Sequence, residues 1–294
     1  MTSPQVLDRE QVRAAVDVEQ LTEELGAALR SYTGEGAPQR IRVPINDNLT
    51  AMVLVPGRHE GIPAYTVKVH AKNPTAREAV HGTILLHRLP DGALLSIMDS
   101  GWLTAQRTAL SAAYVHDHLT AAATPGPVAI IGAGVQGATF ARALQRRRPS
   151  VGFRIHDPDA ARAESLRAEL GEGSTVAATV EQALTTATSA MTATWGRRPV
   201  AEAAALAACE HITVLGMDEP GKRELPEETL AGATRYADDP ALVEPILQRP
   251  TTPISLVLRG ERIARSAHDR TVYLAVGLPM QDCVAAWHVH NRAG

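Results

Sequence analysis

The sequence predicts an α/β protein in two parts: a doubly wound parallel sheet and, ahead of it, a smaller α+β domain. Three observations carry this. From Val128 onward, short apolar strands alternate with helical segments, the pattern of a parallel sheet covered on both faces. Before that, residues 39–98 hold short β-type runs separated by Gly, Pro and Asn, which predict a largely antiparallel sheet. The chain of 294 residues is also too long for one small core and suits two domains.

Taken in order, residues 7–31 read as two short helices, the second with Leu21, Leu25 and Leu29 at helical spacing. Strands are expected at Arg40–Ile45, Thr50–Val55, Ala64–Val69, Thr83–His87 and Leu94–Met98, then a long helix at Leu103–Leu119. The small-residue connector Thr120–Pro127 marks the expected boundary, giving domains 1–119 and 120–271. Beyond it, strands are expected at Val128–Ile131, Gly152–His156, Thr175–Ala178, Ser189–Thr194, His211–Leu215, Thr234–Ala237 and Ile254–Leu258. The tail, Val272–Asn291, resumes helical patterning and is expected to pack back on the first domain.

Composition excludes several classes. A net charge of −3 leaves no broad basic surface for nucleic acid, and Arg146-Arg147-Arg148 reads as the cationic end of a helix. Cys209 and Cys283 have no metal-type spacing, which points to a reducing compartment, no disulfide and no metal. Signal-peptide regions and apolar stretches long enough to cross a membrane are not seen, so a soluble cytoplasmic protein without membrane partners is expected.

The strongest motif is Gly132-Ala133-Gly134-Val135-Gln136-Gly137. The apolar strand Val128–Ile131 runs straight into it and a helical stretch follows, the context that a dinucleotide phosphate loop requires. Gly132 permits the tight turn, Gly134 lets a pyrophosphate approach the backbone, and Gly137 lets helix and strand pack closely. Val135 and Gln136 open the helix, whose N-terminal N–H groups favour phosphate. The next strand ends at His156-Asp157, twenty residues on, where a carboxylate can accept from ribose hydroxyls and repel a 2′-phosphate. The expectation is a Rossmann domain that binds NAD in preference to NADP.

Two further groups carry polar residues where core is expected. In Ser100–Ala109, Arg107 lies in the first turns of an Ala/Leu-rich helix, where a cation opposes the helix dipole and an anionic carboxylate would relieve it; a surface arginine is the plain alternative. In Gly216–Leu225, directly after an apolar strand, Met217 and Asp218 fall where strand ends face the ligand crevice; a loop or capping aspartate is the alternative there. Thr108 and Thr194 complete the expected dinucleotide contacts.

With these stretches the chain resembles the ornithine cyclodeaminase/μ-crystallin family, which includes archaeal-type alanine dehydrogenases and ketimine reductases. The matching segments, in order, are Ile62–Tyr65, His70–Pro74, Leu103–Ala109, Gly132–Gly137, Gly216–Leu225, Thr271–Tyr273, Val276–Leu278 and Gln281-Asp282. The resemblance implies a homodimer, with a small amino or imino acid held between the first domain and the Rossmann domain. It implies hydride transfer between a nicotinamide and a Cα–N centre. It also implies that Arg107 and Arg40 bind the substrate carboxylate and that Asp218 handles the proton at the reacting nitrogen or water. Such roles suit an iminium beside a carboxylate, which needs cations on one side and an anion and a titratable group on the other.

The chain departs from the family pattern in three places, one of them the region Asp238–Arg270, which is shorter than is usual for the family. The family lysine, counted back from Asn73 without gaps, falls on Tyr65, whereas Lys68 lies three residues later on the opposite strand face. Both are candidates for the catalytic position, and His70 and His81 lie nearby. Trp195-Gly196 stands where the family has a Thr-Ser pair. Three readings follow: an NAD-dependent imine reductase or amino-acid dehydrogenase, a cyclodeaminase that recycles NAD and releases ammonia, and a non-catalytic dinucleotide-dependent ligand carrier.

Overall fold

The computed structural model describes residues 3–34, 40–44, 51–72, 80–120, 126–217, 221–262 and 269–293. The chain forms two compact units. The first comprises 1–28, 32–108 and 278–294; the second comprises 29–31 and 109–277.

The first unit opens with a three-residue strand, β1 (Gln5–Leu7), then α1 (Arg9–Ala15) and α2 (Val18–Ser31). Asp8 caps α1 by accepting from the Gln11 N–H at 2.9 Å, while the Gln11 side chain accepts from the Asp8 N–H. Five strands follow: β2 (Ile41–Pro44), β3 (Ala51–Arg58), β4 (Ala64–Lys72), β5 (Val80–Arg88) and β6 (Leu94–Asp99). They pair antiparallel in sequence order, and β1 adds parallel to β6, so the sheet runs β1-β6-β5-β4-β3-β2. β1 escaped sequence reading because three residues carry no periodicity. Alternation along β4 sends Ala64, Thr66, Lys68 and His70 to the buried face. The C-terminal helix of the chain packs on β3, β4 and β5. Gly57 makes this approach possible, since a Cβ there would lie 2.2 Å from the Pro279 carbonyl oxygen.

α3 (Ser100–Thr120) is a single helix, and the division between units falls inside it, after Thr108, rather than at the small-residue connector. A helix of 21 residues can serve two cores in succession, and composition marks no break within it.

The second unit contains β7 (Val128–Ile131), α4 (Val135–Arg147), β8 (Phe153–His156), α5 (Ala160–Leu170), β9 (Thr175–Val176), α6 (Val180–Leu184), β10 (Ser189–Thr192) and β11 (His211–Val214). α7 (Glu227–Ala231), β12 (Thr234–Ala237), α8 (Pro240–Leu247), β13 (Thr252–Pro253), α9 (Ile254–Leu258) and β14 (Thr271–Leu274) follow; α10 (Pro279–His290) belongs to the first unit. The eight strands are all parallel, in the order β13-β12-β14-β11-β10-β7-β8-β9. Every residue of β7, β10, β11 and β14 is buried, as central parallel strands require. The order reverses between β7 and β10, which defines the switch point of a doubly wound sheet.

Two segments differ from the sequence expectation. Ile254–Leu258 is a helix, not a strand: Ile254, Val257 and Leu258 are buried at helical spacing, and only Thr252–Pro253 pairs with β12. Val272–Leu274 is a strand, not the start of a terminal helix. It inserts between β11 and β12, and the helix begins at Pro279, whose fixed φ suits a first turn.

Buried polar groups tie α3 to this sheet. His116 sits 3.0 Å from the Thr213 hydroxyl and 3.1 Å from the Ser189 hydroxyl. Burial drives its pKa down to about 3, so it is a neutral strut. Arg147 and Arg148, at the end of α4, both pair with Asp117 of α3, at 2.9 and 2.6 Å. Those two arginines of the basic run are thus structural cations.

Candidate functional site

Chemistry-bearing side chains concentrate in two places, one in each unit.

In the first unit, Lys68 reaches inward from β4 and is 1% exposed. Its Nζ lies 2.6 Å from Oδ2 of Asp282, a fully buried carboxylate on α10. The other carboxylate oxygen, Oδ1, accepts from Arg107 Nε at 2.8 Å. Arg107 Nη1 also donates to Gln281 Oε1 at 3.0 Å, and that oxygen accepts from the Leu278 N–H at the start of α10. One carboxylate therefore holds two cations from separate elements and fixes the plane of the guanidinium. Burial pulls the Lys68 pKa down to about 7; Asp282 opposes the shift, and the positive charges of Arg107 and Arg40 add to it. Burial pushes the Asp282 carboxyl up, but Arg107 and Lys68 outweigh that and hold it below the usual range. At neutral pH, Asp282 is an anion beside a lysine able to exchange a proton.

Lys68 and Tyr65 part company here. Tyr65 lies on the other face of β4, half-buried and stacked on His87 with ring centroids 5.1 Å apart. Lys68 shares the inner face with α10 and joins Arg107. Arg40, just before β2, is half-buried and its charge is felt at Lys68. Thr108 is turned to its own helix, donating to the Thr104 carbonyl at 2.8 Å. The sequence reading missed Asp282 as a site residue. Its signal was a carboxylate directly before the apolar run Cys283–Ala286, where burying an unpaired charge is prohibitively costly.

In the second unit, β7 is followed directly by Gly132, which has φ +100° and lies so near Ala193 that a Cβ would meet its carbonyl oxygen at 2.6 Å. A Cβ on Gly137 would lie 1.9 Å from the Gly132 oxygen. Gly134 faces open space, with nothing within 4 Å of an added Cβ. It is the N-cap of α4 and provides no side-chain hydrogen bond. The first-turn N–H groups are thus presented by a bare backbone, with Val135 exposed and Gln136 half-buried beside them, and this cradle suits a dinucleotide pyrophosphate. Asp157, just past β8, turns its carboxylate to the loop and accepts from the Ala133 N–H at 2.8 Å.

At the carboxyl ends of β10 and β11, Thr194 and Gly216 converge on Glu224, which sequence reading also passed over. Met217 beside them is buried; Asp218 lies outside the described residues. Trp195 is 49% exposed, with Lys222 Nζ 4.5 Å from its ring centroid. Among the described residues, no group of three or more His, Cys, Asp and Glu could hold a metal ion, and no helix is long and apolar enough to cross a membrane.

A parallel sheet with a bare glycine loop at its switch point is the architecture of a dinucleotide-binding domain. The chain belongs to the ornithine cyclodeaminase/mu-crystallin family, whose model matches residues 2–294. It is 27% identical to the ketimine reductase mu-crystallin of Macropus fuliginosus, over 89% of this chain and 86% of the relative. It is 33% identical to an L-lysine cyclodeaminase of Streptomyces rapamycinicus, over 72% of this chain and 64% of that protein. The fold matches the Thermococcus litoralis Delta(1)-pyrroline-2-carboxylate reductase, solved with NADH and L-proline. That match has a TM-score of 0.87 at 22% identity and covers 98% of this chain and 97% of the other.

Proposed function

We propose that the protein is an NAD-dependent imine reductase that acts on a small 2-imino carboxylate, or oxidises the matching amino acid in reverse. The observation that carries this reading is the buried Lys68–Asp282–Arg107 cluster. A bound reduced dinucleotide supplies a hydride to the imine carbon. Arg107 and Arg40 receive the substrate carboxylate, with Asp282 and Gln281 orienting the Arg107 fork. Lys68, near neutrality in its pKa, delivers the proton that the imine nitrogen needs, and Asp282 holds the lysine in place. Asp218 is assigned, from the family resemblance alone, to handling the proton at the reacting nitrogen or water. Gly132, Gly134, Val135, Gln136 and Gly137 cradle the pyrophosphate, and Asp157, a negative charge at the loop, favours NAD over NADP. Thr108, Thr194 and Met217 are the remaining proposed cofactor contacts.

The test is loss of absorbance at the reduced-nicotinamide band with a panel of cyclic imino acids and of keto acids plus amine. Turnover of at least one supports the reading. A second reading, cyclodeaminase, is favoured by the 33% identity to the L-lysine cyclodeaminase; it predicts ammonia release from a diamino acid without net absorbance change. Binding of NADH and substrate with neither outcome would mean a ligand carrier. We also read the protein as a homodimer, supported by Ile41 and Val43, 52% and 42% exposed on the edge strand β2; a monomer in sedimentation would remove that assignment.

A further inference from the structure

Glu224 is fully buried, and burial pushes its carboxyl pKa up while hydrogen bonds from Thr194, Thr192 and Gly216 oppose the rise. Its partners are four donors at the crevice ends of two adjacent strands. Oε1 accepts from the Thr194 N–H at 2.6 Å and the Thr194 hydroxyl at 2.5 Å. Oε2 accepts from the Thr192 hydroxyl and the Gly216 N–H, each at 2.8 Å. Gly216 has to be glycine for this contact, because a Cβ would lie 2.3 Å from the Glu224 carboxyl carbon. Two of the donors are backbone N–H groups that cannot reverse roles. Only a group that accepts on both oxygens satisfies them, which an ionised carboxylate does and an amide does not.

We propose that Glu224 is a positioning residue for the nicotinamide half of the cofactor, clamping Thr194 beyond β10 to the Gly216–Met217 turn beyond β11. Fold stability is a poor reason to bury this charge, since apolar replacements of buried charges are often neutral or stabilising. In a doubly wound sheet, the strands on the β10–β11 side of the switch point serve the second mononucleotide, while β7–β8 serve the adenosine half. The clamp therefore acts on one half of the dinucleotide. The inference rests on the dinucleotide reading above.

The experiment compares NADH with ADP-ribose, which keeps the adenosine and pyrophosphate and lacks the nicotinamide ring. Titrations use the full-length protein, Glu224→Gln, and the milder Thr192→Val, which removes one hydroxyl donor and stands in should Glu224→Gln fail to fold. The expected result is at least a tenfold loss of NADH affinity in Glu224→Gln, a smaller loss in Thr192→Val, and ADP-ribose affinity within twofold of wild type in both. Equal losses for the two ligands, or an unchanged NADH affinity, would overturn the role while leaving the dinucleotide reading intact. Failure of the wild-type protein to bind either ligand would overturn both.

Discussion

On the proposed reading, the glycine loop and the lysine cluster recognise an anion in opposite ways. The loop spends no side-chain charge: Gly132 and Gly137 allow close packing, Gly134 leaves open space, and backbone N–H groups face the ligand. The cluster in the first unit concentrates two cations around one buried carboxylate. Backbone recognition is inexpensive to fold and indifferent to pH. Buried charge is costly, dependent on every partner and tunable by pH, and only the latter supports proton transfer.

The largest expected effect comes from breaking the charged side. Asp282→Asn leaves Lys68 and Arg107 buried against a neutral amide, and the loss of stability is expected at about 3–5 kcal/mol, read by denaturant unfolding. NADH affinity of the folded fraction should stay within twofold if the two regions are independent. Arg107→Ala comes next: the KM for the carboxylate substrate should rise about 100-fold, in line with about 3 kcal/mol for a truncated buried charge contact, with the Kd for NADH unchanged. Unchanged KM would sink the role of Arg107.

The pH profile sharpens the same contrast. In the proposed mechanism Lys68 donates the proton for reduction, so its ammonium form is required. kcat/KM for imine reduction should fall as pH rises through about 7, and Lys68→Met should abolish that limb. A profile unaltered by the substitution would assign the proton to another group. Stability moves the other way. The Lys68 pKa falls from 10.5 to about 7 on folding, so the unfolded chain binds more protons between those values and stability rises with pH across that window. Asp282 acts in the same direction over a lower window: its lowered pKa adds stability above the ordinary carboxylate range, and that stability is lost in acid. The smallest effect belongs to the loop. Asp157→Ser should lower the NAD-over-NADP preference about tenfold, roughly 1.4 kcal/mol, with activity on NAD retained.

The two regions also differed in how far they could be read from sequence. The loop is contiguous, and its strand, glycines, helix and acid all fall within 30 residues, so Gly132 to Asp157 could be placed by spacing alone. The cluster joins residues separated by up to 214 positions, from Lys68 to Asp282. Spacing along β4 correctly separates Tyr65 from Lys68 by face, but only the packing of α10 on that sheet shows which face carries the charge partners. Glu224 was hidden for the same reason. Its four donors come from β10 and β11, which the sheet brings together. Short elements failed by a different route: Ile254–Leu258 is a five-residue apolar run, which a buried strand and a helical turn share equally.

Hydride transfer at a Cα–N centre is what separates the proposed reductase from a ligand carrier. Reduction of a cyclic imino acid with NADH carrying deuterium at the transferable C4 position, followed by mass and NMR analysis of the product, tests it most directly. Deuterium at Cα of the amino acid is the predicted result; substrate consumed with no label at Cα, or bound with no NADH oxidised, would contradict it.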